Sequence, residues 1–249
     1  MARRNRRRRR RRSYGVFYKI ISLLVICAVI VAALTLFFKV RTITVTGDSQ
    51  YGEEEVISAS GVKVGDNLFL LNKYSIAEAI RNELPAVDSI GISRRLPDTL
   101  VINVTDCIEA GVVEQDGVGW LISSTGRIIG NVERADGDGY ITIDGGALDA
   151  PEVGGTAVWK EDNESNGENL GALVTALSSS GMISDVTEID ISDLSNISIE
   201  YSGRFTVKMK RGADFSTRLE NLKYIIEQLE DNQKGTIDLT IDGEAHYIP

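Results

Sequence analysis

One uncharged segment near the start of the chain constrains the fold more than any other feature. Residues 20–38 are nineteen consecutive residues without a charge. A helix of this length spans about 28 Å, close to the roughly 30 Å hydrocarbon core of a bilayer. The run is longer than the apolar part of a typical secretory signal, and no Ala-x-Ala cleavage pattern separates it from Lys39. The segment therefore predicts an uncleaved transmembrane helix.

The charges on the two sides of this segment predict its orientation. Residues 1–19 contain nine Arg, Lys19 and no acidic residue, whereas all 36 acidic residues follow the segment. Lys39 and Arg41 are the only basic residues close behind it. Because basic flanks are retained in the cytoplasm, we expect residues 1–19 to form a cytoplasmic tail and the rest to lie outside. The acidic outer part disfavours nucleic-acid binding.

The basic tail has two possible interpretations, nucleic-acid binding and contact with the membrane surface. Basic residues beside a membrane span are attracted to anionic headgroups, and this run contains no aromatic residue for base stacking. We therefore expect the tail to bind anionic lipids at the cytoplasmic face and no nucleic acid. The residues concerned are Arg6, Arg7, Arg8, Arg9, Arg10, Arg11 and Arg12.

The two cysteines lie in different environments. Cys27 is inside the apolar segment, and Cys107 is the only cysteine beyond it. We therefore expect no intrachain disulfide. Residues 39–249 are numerous enough to bury a core of their own, so the outer part does not need one.

Hydrophobic periodicity in residues 39–107 predicts the order strand, helix, helix, strand, strand. The first strand contains Ile43 and Val45, and the first helix ends at Gly61. Ser75 and Glu78 have the spacing of a capping box, which predicts that the second helix begins there. Its apolar face and the following hairpin are carried by Ile76, Ile80, Leu84, Ile90, Ile92, Leu100, Ile102 and Val104.

The remainder of the chain predicts strands together with two helices. Ser165 and Glu168 form another capping-box pattern before a helix that ends at Gly181. A strand hairpin turns at 202–203, and a second amphipathic helix runs from Phe215 to Leu229. A late strand contains Ile237, Leu239 and Ile241, followed by a turn at 242–243 and a last strand over 244–248.

Patterns of catalytic and metal-binding residues are incomplete. Ser60-Gly-Val-Lys63 matches one motif of penicillin-binding enzymes, but its companion motifs are missing from the sequence. The acidic segments 136–138 and 162–167 lack a full set of calcium ligands. One histidine, His246, cannot form a zinc site or a histidine-based triad. We therefore expect no enzyme activity, metal, cofactor or small-molecule substrate, although a pair of acidic residues of the glycosidase type stays open.

Several short motifs occur in one order after the apolar segment. They are Val45-Thr-Gly47, Gly65-Asp-Asn-Leu-Phe69, Pro85-Ala-Val87, Arg94-Arg-Leu-Pro-Asp-Thr-Leu100, Trp120-Leu-Ile-Ser-Ser-Thr-Gly126 and Ile237-Asp-Leu239. With the basic tail and the single span, this combination resembles the FtsQ/DivIB family of bacterial cell-division proteins. The first four motifs resemble its POTRA domain, and the last two resemble a hairpin turn and the closing strand of its second domain. One departure is Asp106-Cys107, where the family often has Glu-Arg.

The resemblance implies an α+β protein with a cytoplasmic tail (1–19), a transmembrane helix (20–38), a POTRA domain (39–107) and a larger β-rich domain with two helices (108–249). It implies a non-catalytic scaffold at the division septum. Its partners would be bitopic proteins of the FtsL and FtsB/DivIC types, and it would help regulate septal peptidoglycan synthesis. Two alternatives stay open: a POTRA-bearing transport or secretion component, and a membrane-anchored cell-wall enzyme.

The end of the chain is the predicted partner-binding segment. A terminal strand at the edge of a sheet leaves backbone amides and carbonyls unpaired, so a partner strand can be added there. The residues predicted to bind partners are Ile241, Asp242, Gly243, Glu244, Ala245, His246, Tyr247 and Ile248.

Overall fold

The apolar segment forms the first helix of the protein. The computed structural model describes residues 14–133, 139–160, 165–241 and 243–249. Helix α1, Tyr14–Phe37, contains a stretch, Phe17–Phe37, that is long and apolar enough to cross a membrane. It begins earlier than residue 20 and ends before Phe38, which packs instead against the next module. The run of arginines, the acidic segment 136–138 and the first three residues of the segment 162–167 lie outside the described residues.

The first module after α1 is a three-stranded sheet with two helices. Its elements are β1 (Thr42–Asp48), α2 (Glu53–Ser60), α3 (Lys73–Glu83), β2 (Val87–Arg95) and β3 (Thr99–Asp106). The sheet order is β1-β3-β2, with β1 parallel to β3 and β2 antiparallel to it. The predicted order of strand, helix, helix, strand, strand is confirmed.

The core of this module is formed by the predicted faces. Ile76 and Ile80 of α3 are buried against Leu100 and Ile102 of the central strand β3. Central β3 has neighbours on both sides, so its inward side chains are the most deeply buried.

The predicted capping box at Ser75 and Glu78 is wrong. Helix α3 begins at Lys73, because the side chain of Asn72 accepts hydrogen bonds from the amides of Tyr74 (3.0 Å) and Ser75 (3.5 Å). Asn72 therefore satisfies the unpaired amides one turn earlier, and Ser75 lies inside the helix.

The second module is a nine-stranded sheet with two helices. Its elements are β4 (Glu109–Gln115), β5 (Val118–Ser123), β6 (Ile128–Glu133), β7 (Thr142–Asp144), α4 (Asn166–Ser180), β8 (Val186–Asp190), β9 (Asn196–Tyr201), β10 (Phe205–Lys210), α5 (Phe215–Ile226), β11 (Gly235–Leu239) and β12 (His246–Ile248). The sheet order is β12-β11-β10-β9-β8-β7-β4-β5-β6. The resulting fold is α+β, as expected.

Helices α4 and α5 pack together on one side of this sheet. Leu173 and Leu177 of α4 and Leu222 of α5 are buried with inward residues of the strands, such as Ile199 and Val207. The predicted hairpin between β9 and β10 and the helix end at Gly181 are confirmed. Helix α5 ends at Ile226, three residues before Leu229.

The capping box predicted at Ser165 and Glu168 is wrong, although α4 does begin after Ser165. Ser165 has φ −115° and ψ −7°, which is not the extended conformation from which a capping side chain reaches back, and it makes no capping hydrogen bond. Arg211 binds here instead, donating from Nη1 to the side chain of Asn166 and from Nη2 to the carbonyl of Ile191. The arginine therefore links the start of α4 to the sheet.

The two modules meet at Cys107. The Cys107 amide donates to the Ala86 carbonyl (2.7 Å), and Arg127 of the second module donates from Nη2 to the Arg81 carbonyl at the end of α3 (2.9 Å). Burial raises the pKa of the Cys107 thiol. The thiol is therefore protonated at neutral pH and is a poor nucleophile.

Candidate partner-binding edge

The last strand, β12, forms one edge of the nine-stranded sheet. It pairs antiparallel with β11, with Thr236 opposite Ile248, Ile237 opposite Tyr247 and Asp238 opposite His246. Strand β11 is in turn parallel to β10. Among the described strands β12 has a neighbour on one side only, so alternate amides and carbonyls of its backbone point away from the sheet.

Tyr247 fixes β12 to the body of the module. Its ring contacts Phe205, a fully buried residue, in an edge-to-face arrangement with the centroids 6.5 Å apart. Its hydroxyl donates to the Lys234 carbonyl (2.9 Å). An aromatic ring with a satisfied hydroxyl is well suited to anchor a short strand, which would otherwise be marginal at three residues.

Gly235 lets β12 approach β11 closely. Its φ is +151°, and a Cβ at this position would lie 2.2 Å from the Ile248 carbonyl oxygen. Any other residue would therefore displace the end of β12. Sequence analysis did not identify Gly235, although a glycine at the start of a predicted strand often marks close approach of another backbone segment.

The chain turns between β11 and β12 through a set of local hydrogen bonds. Asp238 Oδ1 accepts from the amide (2.9 Å) and the hydroxyl (2.7 Å) of Thr240. These bonds, together with the nearby charges of His246 and Lys208, lower the pKa of the Asp238 carboxyl. Buried Arg218 of α5 donates from Nη1 to the Ile241 carbonyl (3.0 Å), which holds the turn against the helix.

The prediction that Ile241 belongs to the late strand is wrong. Strand β11 ends at Leu239, and the side chain of Ile241 is 51% exposed. The interaction of Thr240 with Asp238 ends the ladder, so the alternation of apolar residues no longer places Ile241 on the inner face. The last strand also begins later than predicted, at His246 rather than Glu244.

The structure gathers most of the predicted segment on one exposed surface. Gly243, Glu244 and Ala245 form the exposed approach to β12, while Asp242 lies outside the described residues. His246 and Ile248 project from the same side of the strand and are exposed, and His246 Nε2 lies 3.5 Å from Glu244 Oε2. In strand addition generally, an open strand edge supplies backbone hydrogen bonds for affinity, and exposed alternate side chains supply specificity.

The described residues contain no group of three or more His, Cys, Asp and Glu side chains placed to hold a metal ion. Ser60 of the motif resembling that of penicillin-binding enzymes is buried at the end of α2, where its hydroxyl donates to the Ile57 carbonyl (2.6 Å). It is therefore a helix-end residue in this fold.

Comparison with known proteins gives two adjoining family matches. Residues 38–106 match the FtsQ-type POTRA domain, and residues 111–240 match the C-terminal domain of cell division protein FtsQ/DivIB. The first match covers β1 to β3, and the second runs from within β4 to the end of β11, so β12 lies beyond it.

Whole-chain relatives agree with this division. Cell division protein FtsQ of Syntrophotalea carbinolica is 26% identical over 81% of this chain and 70% of its own length. Cell division protein DivIB of Bacillus subtilis is 26% identical over 86% of this chain and 76% of its own. Cell division protein DivIB of Clostridium botulinum strain Hall is 22% identical over 85% of this chain and 82% of its own length. With an apolar helix suited to a membrane anchor, a POTRA domain and the matching C-terminal domain, the chain belongs to the FtsQ/DivIB family of cell division proteins.

Proposed function

We propose that this protein is a non-catalytic scaffold of the division septum that binds bitopic proteins of the FtsL and FtsB/DivIC types. Through them it helps regulate septal peptidoglycan synthesis. Helix α1 is its single membrane span, with the N-terminus in the cytoplasm and both modules outside. The observation that carries the proposal is the open edge of β12 in a member of a cell-division family.

Strand addition is the mechanism that this edge favours. Backbone hydrogen bonds from β12 to a partner strand supply affinity without requiring a particular partner sequence. The exposed side chains of His246 and Ile248 supply specificity. Tyr247, by contrast, is turned toward the core, where it keeps β12 in register while its outer backbone is engaged.

The arginine run has a separate role in this proposal. Arg6–Arg12 and the two preceding arginines bind anionic lipids at the cytoplasmic face and fix the orientation of α1. The acidic outer part remains on the opposite side of the membrane.

A charge placed on the binding edge tests the proposal. Lysine on an edge strand disfavours pairing with a further strand, and Ile248→Lys leaves the Tyr247 anchor intact. We expect about tenfold weaker binding of purified FtsL- and DivIC-type outer segments to the full chain in nanodiscs, equivalent to about 1.4 kcal/mol.

The control is Asn131→Lys on β6, an exposed position at the opposite edge of the same sheet. It should leave partner affinity unchanged. Equal affinity of wild type and the Ile248→Lys variant, with both folded by circular dichroism, would show that partners do not use β12. Weaker binding by the Asn131→Lys variant alone would move the interface to β6.

A further inference from the structure

The first module is attached to α1 without a flexible linker. Helix α1 ends at Phe37, Phe38 packs against the core of the module, and Val40 is fully buried in that core. A connection of this length, about three residues, can extend by at most about 10 Å. The end of the POTRA domain at which α1 enters must therefore lie at the bilayer surface if α1 crosses the membrane.

Asn67 holds the end of α1 against the POTRA domain. The last carbonyls of a helix have no partners within the helix. Asn67 Nδ2 donates to the carbonyls of Leu34 (3.1 Å) and Thr35 (3.4 Å) in the last turn of α1, and the Leu68 amide donates to the Phe38 carbonyl (2.9 Å). The loop between α2 and α3 therefore caps the end of α1.

This same loop exposes large apolar side chains. Val64 is 72% exposed, Leu70 78% and Phe69 47%, and Asn67 Oδ1 orders the amides of Phe69 (2.9 Å) and Leu70 (3.3 Å). Leu96, in the turn between β2 and β3, is 56% exposed. Single exposed leucines are normal on a protein surface, but a group of large apolar side chains at the end of an apolar helix indicates an interaction surface.

The turn that carries Leu96 lies at the same end of the module. Its Asp98 carbonyl accepts from the amide of Arg41 (2.8 Å), a residue in the segment that leaves α1. We call the surface formed by residues 63–70 and 95–97 the near-membrane surface.

Basic residues lie within the same two loops or close to them in the chain. Lys39, Lys63, Lys73 and Arg95 are exposed near these two loops. The acidic residues close to them have local partners: Asp66 accepts from the Lys63 amide (2.9 Å), and the Asp98 carboxylate lies 3.9 Å from Arg41 Nε. Exposed leucine and phenylalanine with a basic rim is the composition of surfaces that bind the interfacial region of a bilayer.

We propose that the near-membrane surface is a second membrane contact, in which Phe69, Leu70 and Leu96 enter the headgroup region of the leaflet that α1 leaves, and the basic rim meets lipid phosphates. The proposal rests on the proposed membrane span of α1. It makes the POTRA domain lie on the bilayer rather than stand away from it.

Tryptophan fluorescence in lipid nanodiscs tests this surface directly. The native tryptophans, Trp120 and Trp159, are both in the second module, so a Leu70→Trp variant adds one reporter at the near-membrane surface. Lipids brominated near the headgroup end of the acyl chain should quench the added fluorescence more strongly than lipids brominated near the bilayer centre. Leu96→Trp should give the same order, and anionic lipid should increase the quenching of both.

The matched control is Leu194→Trp, at a leucine that is 66% exposed in the second module. Its added fluorescence should be insensitive to brominated lipid. If the Leu70→Trp and Leu96→Trp variants are quenched no more than the Leu194→Trp variant while the full chain remains in the nanodisc, the near-membrane surface does not contact lipid. If the wild-type chain fails to enter nanodiscs or to float with liposomes, the proposed span itself is wrong, so the two failures are distinguishable.

Discussion

The near-membrane surface and the β12 edge lie in different modules and offer opposite kinds of contact. The first presents large side chains, and its backbone is occupied by local bonds such as those from the amides of Phe69 and Leu70 to Asn67. The second presents unpaired backbone, while its largest side chain, Tyr247, is turned inward. A fluid lipid surface needs apolar area without register, whereas a partner strand needs a register of donors and acceptors. The first surface is therefore suited to a fluid lipid surface, and the second is suited to a partner strand with a fixed register.

The two sheets also differ in how much of their faces the helices can cover. Strands are about 4.8 Å apart and a helix is about 10 Å wide, so two helices side by side cover roughly four strands. Two helices suffice for the three strands of the POTRA domain. They cannot cover all nine strands of the second sheet, so part of its face has no helix over it. The open backbone of β12 follows instead from its position at the end of the strand order.

The largest expected effect is a loss of stability in the POTRA domain alone. Ile80 is fully buried, and Ile80→Asp places an unpaired charge in the small core of the POTRA domain at a cost of about 4 kcal/mol or more. We expect hydrogen exchange on the full chain to show loss of protection in β3 with protection retained in β10. Ser75→Asp introduces the same side chain at an exposed position of α3 and should leave the exchange protection of both β3 and β10 unchanged. Loss of protection in both modules would mean that they unfold as one unit.

A smaller effect tests the backbone character of the β12 edge. Gly235→Ala forces a Cβ toward the Ile248 carbonyl in a backbone conformation that alanine adopts with strain, at a cost of about 1–3 kcal/mol. We expect loss of exchange protection in β12 and weaker partner binding. Gly203→Ala, in the turn between β9 and β10, is the control, since φ is +61° there but no atom lies within 4 Å of the added Cβ. If the Gly235→Ala variant binds partners like wild type, the position of β12 does not determine recognition.

The smallest effect concerns the turn before β12 and its response to acid. Because hydrogen bonds from Thr240 lower the pKa of folded Asp238, the ionised carboxyl contributes stability above its ordinary pKa near 3.9, and this contribution is lost as the pH falls through the lowered folded value. Thr240→Ala should raise the Asp238 pKa toward the ordinary value, as measured by NMR titration of the carboxyl carbon. Thr236→Ala on β11 should leave it lowered. An unchanged Asp238 pKa in the Thr240→Ala variant would assign the shift to the charges of His246 and Lys208.

Local patterns were sufficient to predict elements whose packing repeats over several residues. The face of α3 and the hairpin of β9 and β10 follow from such repeats, whereas the apolar helix follows from an uninterrupted run of uncharged residues. Helix starts were less predictable where two capping signals compete. Asn72 and Ser75 lie three residues apart, and Ile76 and Ile80 share one helix face with either start, so the apolar pattern does not choose between them; the structure shows Asn72 as the cap.

Long-range pairing explains most of what sequence analysis missed. Strand β7 has only three residues and pairs in parallel with β4 and β8, so no local pattern reveals it. The contact of Arg218 with the Ile241 carbonyl joins α5 to a turn 23 residues away. The terminal edge was predictable from alternation near the C-terminus, but the anchoring role of Tyr247 depends on its contact with Phe205, which only the folded chain brings about.

The short connection after α1 also has a mechanical consequence. A membrane helix joined to its domain by a flexible linker can spin about its axis while the domain stays still. Here Phe38 and Val40 are packed into the POTRA domain, and Asn67 donates hydrogen bonds to the last turn of α1. The helix and the three-stranded sheet therefore rotate together as one body. If α1 spans the membrane as proposed, turning it about its own axis through contact with a neighbouring transmembrane helix would turn the sheet through the same angle.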